Sequence, residues 1–326
     1  MSFNEILARH ASLESRRQTS ESDLSKIRQR FLDAKFFEDK SVSIFTAGSF
    51  ARRDAGKNSD LDLFVISEQP SEKRSRLSDL EMLAKLIEIN RGLHYPPFSN
   101  DGQFLKVYSI EEMKDKTGHP HDDSENLFTA RLLFLLESLP LCNQNFYEKH
   151  LEGVVKHYFR DYPEHKAFRP LFLLNDILRY WRTLCLNYER IRNDLGVNPR
   201  RPWRKKNVNL KFSRMLTVFS TMLPLIAFPV KKPEEFISLT KLSPLQRLAN
   251  GLDALGDENL SDRFVTFLDD YERFLRWKET DDVETVMQEP EMKRRVRETA
   301  TRFSDFLHAA LTHERIPIEL RKYLVI

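Results

Sequence analysis

Cysteine is nearly absent: Cys142 and Cys185 are the only two in 326 residues, and both stand in apolar, helix-forming surroundings. That excludes a disulfide framework and suits a reduced, cytoplasmic protein. Glycine is also scarce, at nine residues, while the Leu, Glu, Lys and Arg content favours a helix-rich chain. Charge of one sign is not in excess. The net charge of +3 excludes a polyelectrolyte, so any contact with nucleic acid must come from a local patch. Met1-Ser2-Phe3-Asn4-Glu5 lacks the basic-then-apolar layout of a signal peptide. The longest apolar run, residues 216–230, is broken by Thr217, Ser220, Thr221 and Pro224, which predicts no membrane span. No internal repeat or low-complexity segment stands out. What is present is enough chain for one large or two ordinary domains.

The most informative stretch runs from Phe45 to Ile66. Val42 to Thr46 is a short β-branched run, and Gly48-Ser49 breaks it where a turn opens a short polar helix. A second strand then begins, with Asp60 and Asp62 at the head of Leu63-Phe64-Val65-Ile66. Residues i and i+2 of a strand point to the same face, so both carboxylates aim at one place. Adjacent carboxylates repel unless a cation sits between them, and hard oxygen ligands of this kind suit Mg²⁺ (or Mn²⁺) together with substrate phosphates. A Gly-Ser turn at a helix start offers backbone N–H groups and a hydroxyl to a phosphate. Both halves together are the equipment of phosphoryl or nucleotidyl transfer.

Gly48-Ser49, ten residues, then Asp60-x-Asp62 resembles the signature of the nucleotidyltransferase-fold (DNA polymerase β-like) superfamily. Gly48-Ser49-Phe50-Ala51-Arg52 followed by Ser59-Asp60-Leu61-Asp62-Leu63 is similar to the minimal nucleotidyltransferases and the PII-protein uridylyltransferases. The resemblance covers roughly residues 40–140 and implies an α+β catalytic domain with a small mixed sheet flanked by helices. It implies that Asp60 and Asp62 hold metal, that Gly48 and Ser49 bind the β/γ-phosphates of an NTP, and that Arg52 or Arg53 neutralises the departing pyrophosphate. Two departures are visible. Relatives commonly have glycine where Arg53 stands. The superfamily's third carboxylate belongs on or beside the next strand, expected at residues 103–108, which carries none; Asp101 at its entrance is the candidate third metal ligand.

Around this core the apolar spacing predicts two helices over residues 3–37 that cover the sheet. A further helix is expected from Pro70-Ser71 to Gly92, in which Leu77, Leu80, Ala84 and Ile87 keep helical spacing. His119-Pro120-His121-Asp122-Asp123 reads as a solvated loop capping the next helix. From Ser124 onward no strand is expected. Helical faces recur over 168–188, over 256–278 (Phe264, Leu268, Tyr271, Leu275) and after Pro290 (Met292, Val296, Phe303, Leu307). The expected division is therefore residues 1–123 as catalytic domain and 124–326 as an α-helical domain.

Between Gly196 and Met215 stand seven Lys/Arg residues and no acid: Arg200, Arg201, Arg204, Lys205, Lys206, Lys211 and Arg214. Such a loop can be a solvated surface, can track and stack nucleic acid, or can clamp a triphosphate through Lys205 and Lys206. The favoured activity is transfer of an NMP from an NTP to a hydroxyl of a protein or RNA acceptor, the latter reached through residues 200–214. Two alternatives share the core: a cyclic or linear oligonucleotide synthase, and a toxin- or defence-type enzyme acting on tRNA. A catalytically degenerate nucleotide-sensing or partner-binding module is the non-enzymatic one. Oligomeric state has no signature in these residues.

Overall fold

The computed structural model describes all residues except 39, 99–101, 103, 163–167, 194–202, 229, 281–282 and 325–326. In chain order the elements are α1 (Phe3–Arg9), α2 (Ala11–Ala34), β1 (Val42–Thr46), α3 (Gly48–Arg52), β2 (Leu63–Ser67), α4 (Arg76–Gly92), β3 (Val107–Ser109), α5 (Ile110–Asp115), α6 (Pro120–Ser124), α7 (Leu127–Leu136), β4 (Leu139–Cys142) and α8 (Gln144–Tyr158). They continue with α9 (Leu171–Asn193), α10 (Trp203–Asn209), α11 (Met215–Ala227), α12 (Pro233–Thr240), α13 (Pro244–Leu255), α14 (Ser261–Lys278), α15 (Val283–Val286), α16 (Pro290–Leu311) and α17 (Ile318–Tyr323). The chain divides into two compact units. One comprises Ser15–Phe168 with Lys231–Ser243; the other comprises Met1–Glu14, Arg169–Val230 and Pro244–Ile326.

The first unit is built on a four-stranded sheet of order β3-β2-β1-β4. β1 pairs antiparallel with β2, Thr46 opposite Leu63 and Val42 opposite Ser67. β3 adds parallel to β2, with Val65 opposite Val107, and the crossover that a parallel pair requires is made through α4. Every residue of β1 and β2 is buried, so both faces of the sheet are covered. On one face Val42, Ile44, Leu63, Val65 and Val107 meet Leu24, Ile27 and Phe31 of α2 and Met82, Leu86 and Ile89 of α4. On the other, Phe45 stacks on Phe64 at 5.2 Å and packs against Phe134 of α7 and Tyr147 of α8. Also on that side, Ser43 Oγ meets His150 Nδ1 at 3.0 Å, and burial pushes the imidazole pKa down to about 4.

Four expectations are corrected by these elements. The apolar stripe assigned to α4 faces outward: Leu77 and Leu80 are exposed, and the buried positions are Met82, Leu86 and Ile89. Helix propensity placed the helix, but its apolar residues occupy two faces. The expected strand at 103–108 is shorter and later, Val107–Ser109. A strand does occur after Ser124: β4, Leu-Pro-Leu-Cys, pairs antiparallel with β1 at the sheet edge. Pro140 hid it, because proline is depleted in strands, yet at an edge its missing N–H is tolerated. His119 does cap α6, accepting the His121 backbone N–H, but Asp122 is not solvated. Its two oxygens accept from Arg131 at 2.8 Å each, and both side chains are fully buried.

The second unit is helical throughout its described residues. α1 opens it with a capping box between Ser2 and Glu5, and Asp253 of α13 accepts the Phe3 N–H at 2.6 Å. α1, expected with α2 over the sheet, therefore belongs to this unit and not to the one that holds the sheet. α14 and α16 bury the expected faces, with Phe267 stacked on Phe303 at 4.1 Å. A π-helical turn, Leu210–Arg214, joins α10 to α11, giving one helix from Arg204 to Ala227. By length and composition alone those 24 residues could cross a membrane. They are packed as an interior helix, α11 lying against α9, α13 and α16. The units therefore depart from a division at residue 123: β4, α7 and α8 lie with the sheet, and α12 returns to it from residue 231.

Candidate active site

The loop between β1 and β2 is held from both ends. Ala47 N–H donates to Asp62 O at 3.0 Å, which continues the β1–β2 pairing one step beyond Thr46 and Leu63. Gly48 follows at φ +70°, a left-handed conformation that glycine adopts without strain. Its lack of a side chain matters twice, because a Cβ there would lie 2.6 Å from Asp62 Oδ2. Only glycine lets this backbone and that carboxylate approach so closely. Ser49 is the second residue of α3, and Phe50 anchors the helix edge-on against Tyr95 at 5.3 Å.

Asp60 and Asp62 flank Leu61 on the approach to β2. Leu61 and Leu63 are buried in the core, whereas Asp60 and Asp62 are partly exposed. That alternation puts the two carboxylates on one side of an extended segment, as the sequence spacing implies. Gly56 N–H donates to Ser59 Oγ at 2.9 Å and Ser59 N–H to Gly56 O at 3.0 Å, a tight turn that delivers the chain to Asp60. Ala55 N–H donates to Ser20 Oγ of α2 at 3.0 Å, pinning the loop to that helix.

The two arginines diverge. Arg52 turns inward, its Nε 3.1 Å from Asp54 Oδ2 and its Nη1 2.8 Å from Glu137 Oε2. All three side chains are at most 7% exposed, so this guanidinium is a brace between α3 and the end of α7 and differs from the phosphate contact expected of it. Arg53 caps α3 at φ +61°, a left-handed conformation that costs a non-glycine residue strain. Its Nε lies 2.6 Å from Glu21 Oε1 of α2, and Nη2 donates to Lys241 O, just after α12, at 3.4 Å. Glu21, Ser20, Asp54 and Glu137 were not among the residues expected here. Glu137 carried the one available signal, an acid directly after the apolar run Leu132–Leu136.

Asp101 lies outside the described residues, as do Arg200 and Arg201. Lys205 and Lys206 belong to the helical unit and stand in helix α10, where a loop was expected; the Lys205 N–H donates to Glu284 at 2.8 Å. The donor set that does assemble, two hard carboxylates on one side of the strand head beside a glycine that makes room for one of them, fits a single divalent cation.

Residues 24–126 match the family model described as a nucleotidyltransferase domain. This segment is a nucleotidyltransferase domain. No curated protein and no solved structure matches the chain. The matched segment begins within α2 and ends ahead of α7, so it takes in Ser49, Asp60 and Asp62 and excludes Glu137 and β4. The nucleotidyltransferase domain supports transfer of a nucleoside monophosphate and implies an NTP substrate.

Proposed function

We propose that the chain is a cytoplasmic, Mg²⁺-dependent nucleotidyltransferase that moves an NMP from an NTP to an acceptor hydroxyl. The observation that carries this reading is the close approach of Gly48 to Asp62, which sets the start of α3 against that carboxylate. Asp60 and Asp62 would hold the divalent ion, whose chemistry is to neutralise charge on the oxygens that attack and leave phosphorus. The backbone at Gly48 and Ser49 receives the β- and γ-phosphates and orients the α-phosphorus for in-line displacement. The acceptor oxygen bonds to the α-phosphorus as the bond to the pyrophosphate oxygen breaks, and the hydroxyl proton passes to solvent or a nearby base. Arg52 acts only by fixing α3. Arg53, tied to Glu21, borders the phosphates and narrows their approach. A protein or RNA acceptor is favoured by the sequence resemblance and by the basic residues around Lys205 and Lys206.

The test incubates the full chain with each of the four α-³²P-labelled NTPs and Mg²⁺, with total RNA, with lysate protein and alone. Label in one fraction that vanishes in Asp60→Asn/Asp62→Asn establishes transfer and names the acceptor class. Folded protein that labels nothing with any nucleotide replaces this reading with a nucleotide-sensing module on a degenerate core.

A further inference from the structure

The helical unit carries a second cluster of metal-ligating side chains, independent of the proposed reaction. His10 lies in the turn between α1 and α2, and Asp269 and Glu272 stand three residues apart on α14, so they share one helix face. His10 Nε2 is 3.1 Å from Asp269 Oδ1 and 3.8 Å from Glu272 Oε2. The three donor atoms all lie within 4.8 Å of one another. Donors bound at about 2.1 Å to a common tetrahedral ion stand roughly 3.4 Å apart, so this set closes with small side-chain movements.

Three features favour an ion over a simple pair. Two carboxylates converge on one ring nitrogen, and a single N–H serves only one acceptor well. The opposite nitrogen, Nδ1, lies 3.4 Å from Ser12 Oγ, the kind of outer partner that fixes the tautomer of a metal-bound imidazole. Glu272 directs its other oxygen, Oε1, to Arg276 at 3.7 Å, which leaves Oε2 for the cluster. The side chain of His10 is 12% exposed and that of Asp269 56%, so the set is open to solvent on one side.

We propose that His10, Asp269 and Glu272 bind a zinc-class divalent ion that clips the turn before α2 to α14. Imidazole with two carboxylates suits Zn²⁺ better than Mg²⁺. The competing account is a protonated His10 held between two acids, and it differs in needing a positive charge where a metal needs a lone pair.

The experiment uses the full chain carrying Asp60→Asn/Asp62→Asn, so that the other carboxylate pair takes no ion. Chelator-stripped protein is titrated with ZnCl₂ by calorimetry, and its melting is followed with and without Zn²⁺. One equivalent bound and a raised Tm are expected. Adding His10→Lys, which keeps the charge and removes the ligand, is expected to abolish both, as is adding Asp269→Asn/Glu272→Gln; circular dichroism checks that each is folded. No zinc uptake by the starting protein overturns the proposal. So does uptake that persists in either folded variant, which would place the ion on other histidines such as His119 and His121.

Discussion

Two pairs of carboxylates flank the short helix α3, and the fold treats them in opposite ways. Asp54 and Glu137 are buried, and the chain supplies their cation itself in Arg52. Asp60 and Asp62 are kept partly exposed, on the side of the strand opposite buried Leu61, and beside them the chain places a glycine. A buried carboxylate without its partner is expensive, so the first pair is obligatory structure. The second pair stays wet and close to a helix start, which is the arrangement for a cation and a phosphate arriving from solution. Charge that the fold neutralises holds the site in shape. The partly exposed pair is the one that solution can reach.

The sharpest way to break this comparison is Arg52→Ala, which strands two buried carboxylates. A loss of about 3–5 kcal/mol in urea unfolding is expected. A loss below about 1 kcal/mol would mean that the triad is not a brace. Next comes Gly48→Ala, which puts a side chain at a left-handed backbone and 2.6 Å from Asp62 Oδ2. Strain of about 1–2 kcal/mol is expected, with transferase activity falling more than stability does, because Asp62 must move. Arg53→Gly relieves a left-handed non-glycine residue but loses the ion pair to Glu21, so its stability should stay within about 1 kcal/mol of wild type. Its readout is KM for the NTP, which changes if Arg53 borders the phosphates and stays fixed if it does not. Smallest of all is the stability effect of Asp60→Asn/Asp62→Asn, within about 0.5 kcal/mol, while transfer disappears. Strong destabilisation by that pair would erase the distinction between the two sets of acids.

Much of the site was legible because it is local. Gly48-Ser49 and Asp60-x-Asp62 are short motifs whose spacing encodes a turn and a shared face; Gly48 opens α3 directly after β1, and Asp60 and Asp62 alternate with buried Leu61 just ahead of β2. β1 was readable as a short β-branched run, and the inward faces of α14 and α16 from a single clean helical period. What failed was contextual. Arg52 and Arg53 are adjacent and chemically alike, and only tertiary structure sends one to Glu137 and the other to Glu21. Leu77 and Leu80 kept helical spacing yet face outward, because α4 carries apolar residues on two sides and the sheet takes one. β4 was lost to its proline, and with it the true extent of the sheet-bearing unit.

The order in which the units are stitched along the chain bears on how the protein is made. Residues Met1–Glu14 belong with segments that begin at Arg169, and the sheet-bearing unit waits for Lys231–Ser243. A ribosome adding roughly 5–20 residues per second needs on the order of tens of seconds to bring those partners out. During that interval Phe3 lacks its ring partner Phe264, and the sheet-bearing unit lacks the helix that begins at Pro233. Neither unit can finish before the other has begun, so no single cut frees an intact sheet-bearing unit, and the nascent chain depends on holding its ends until the last helices emerge.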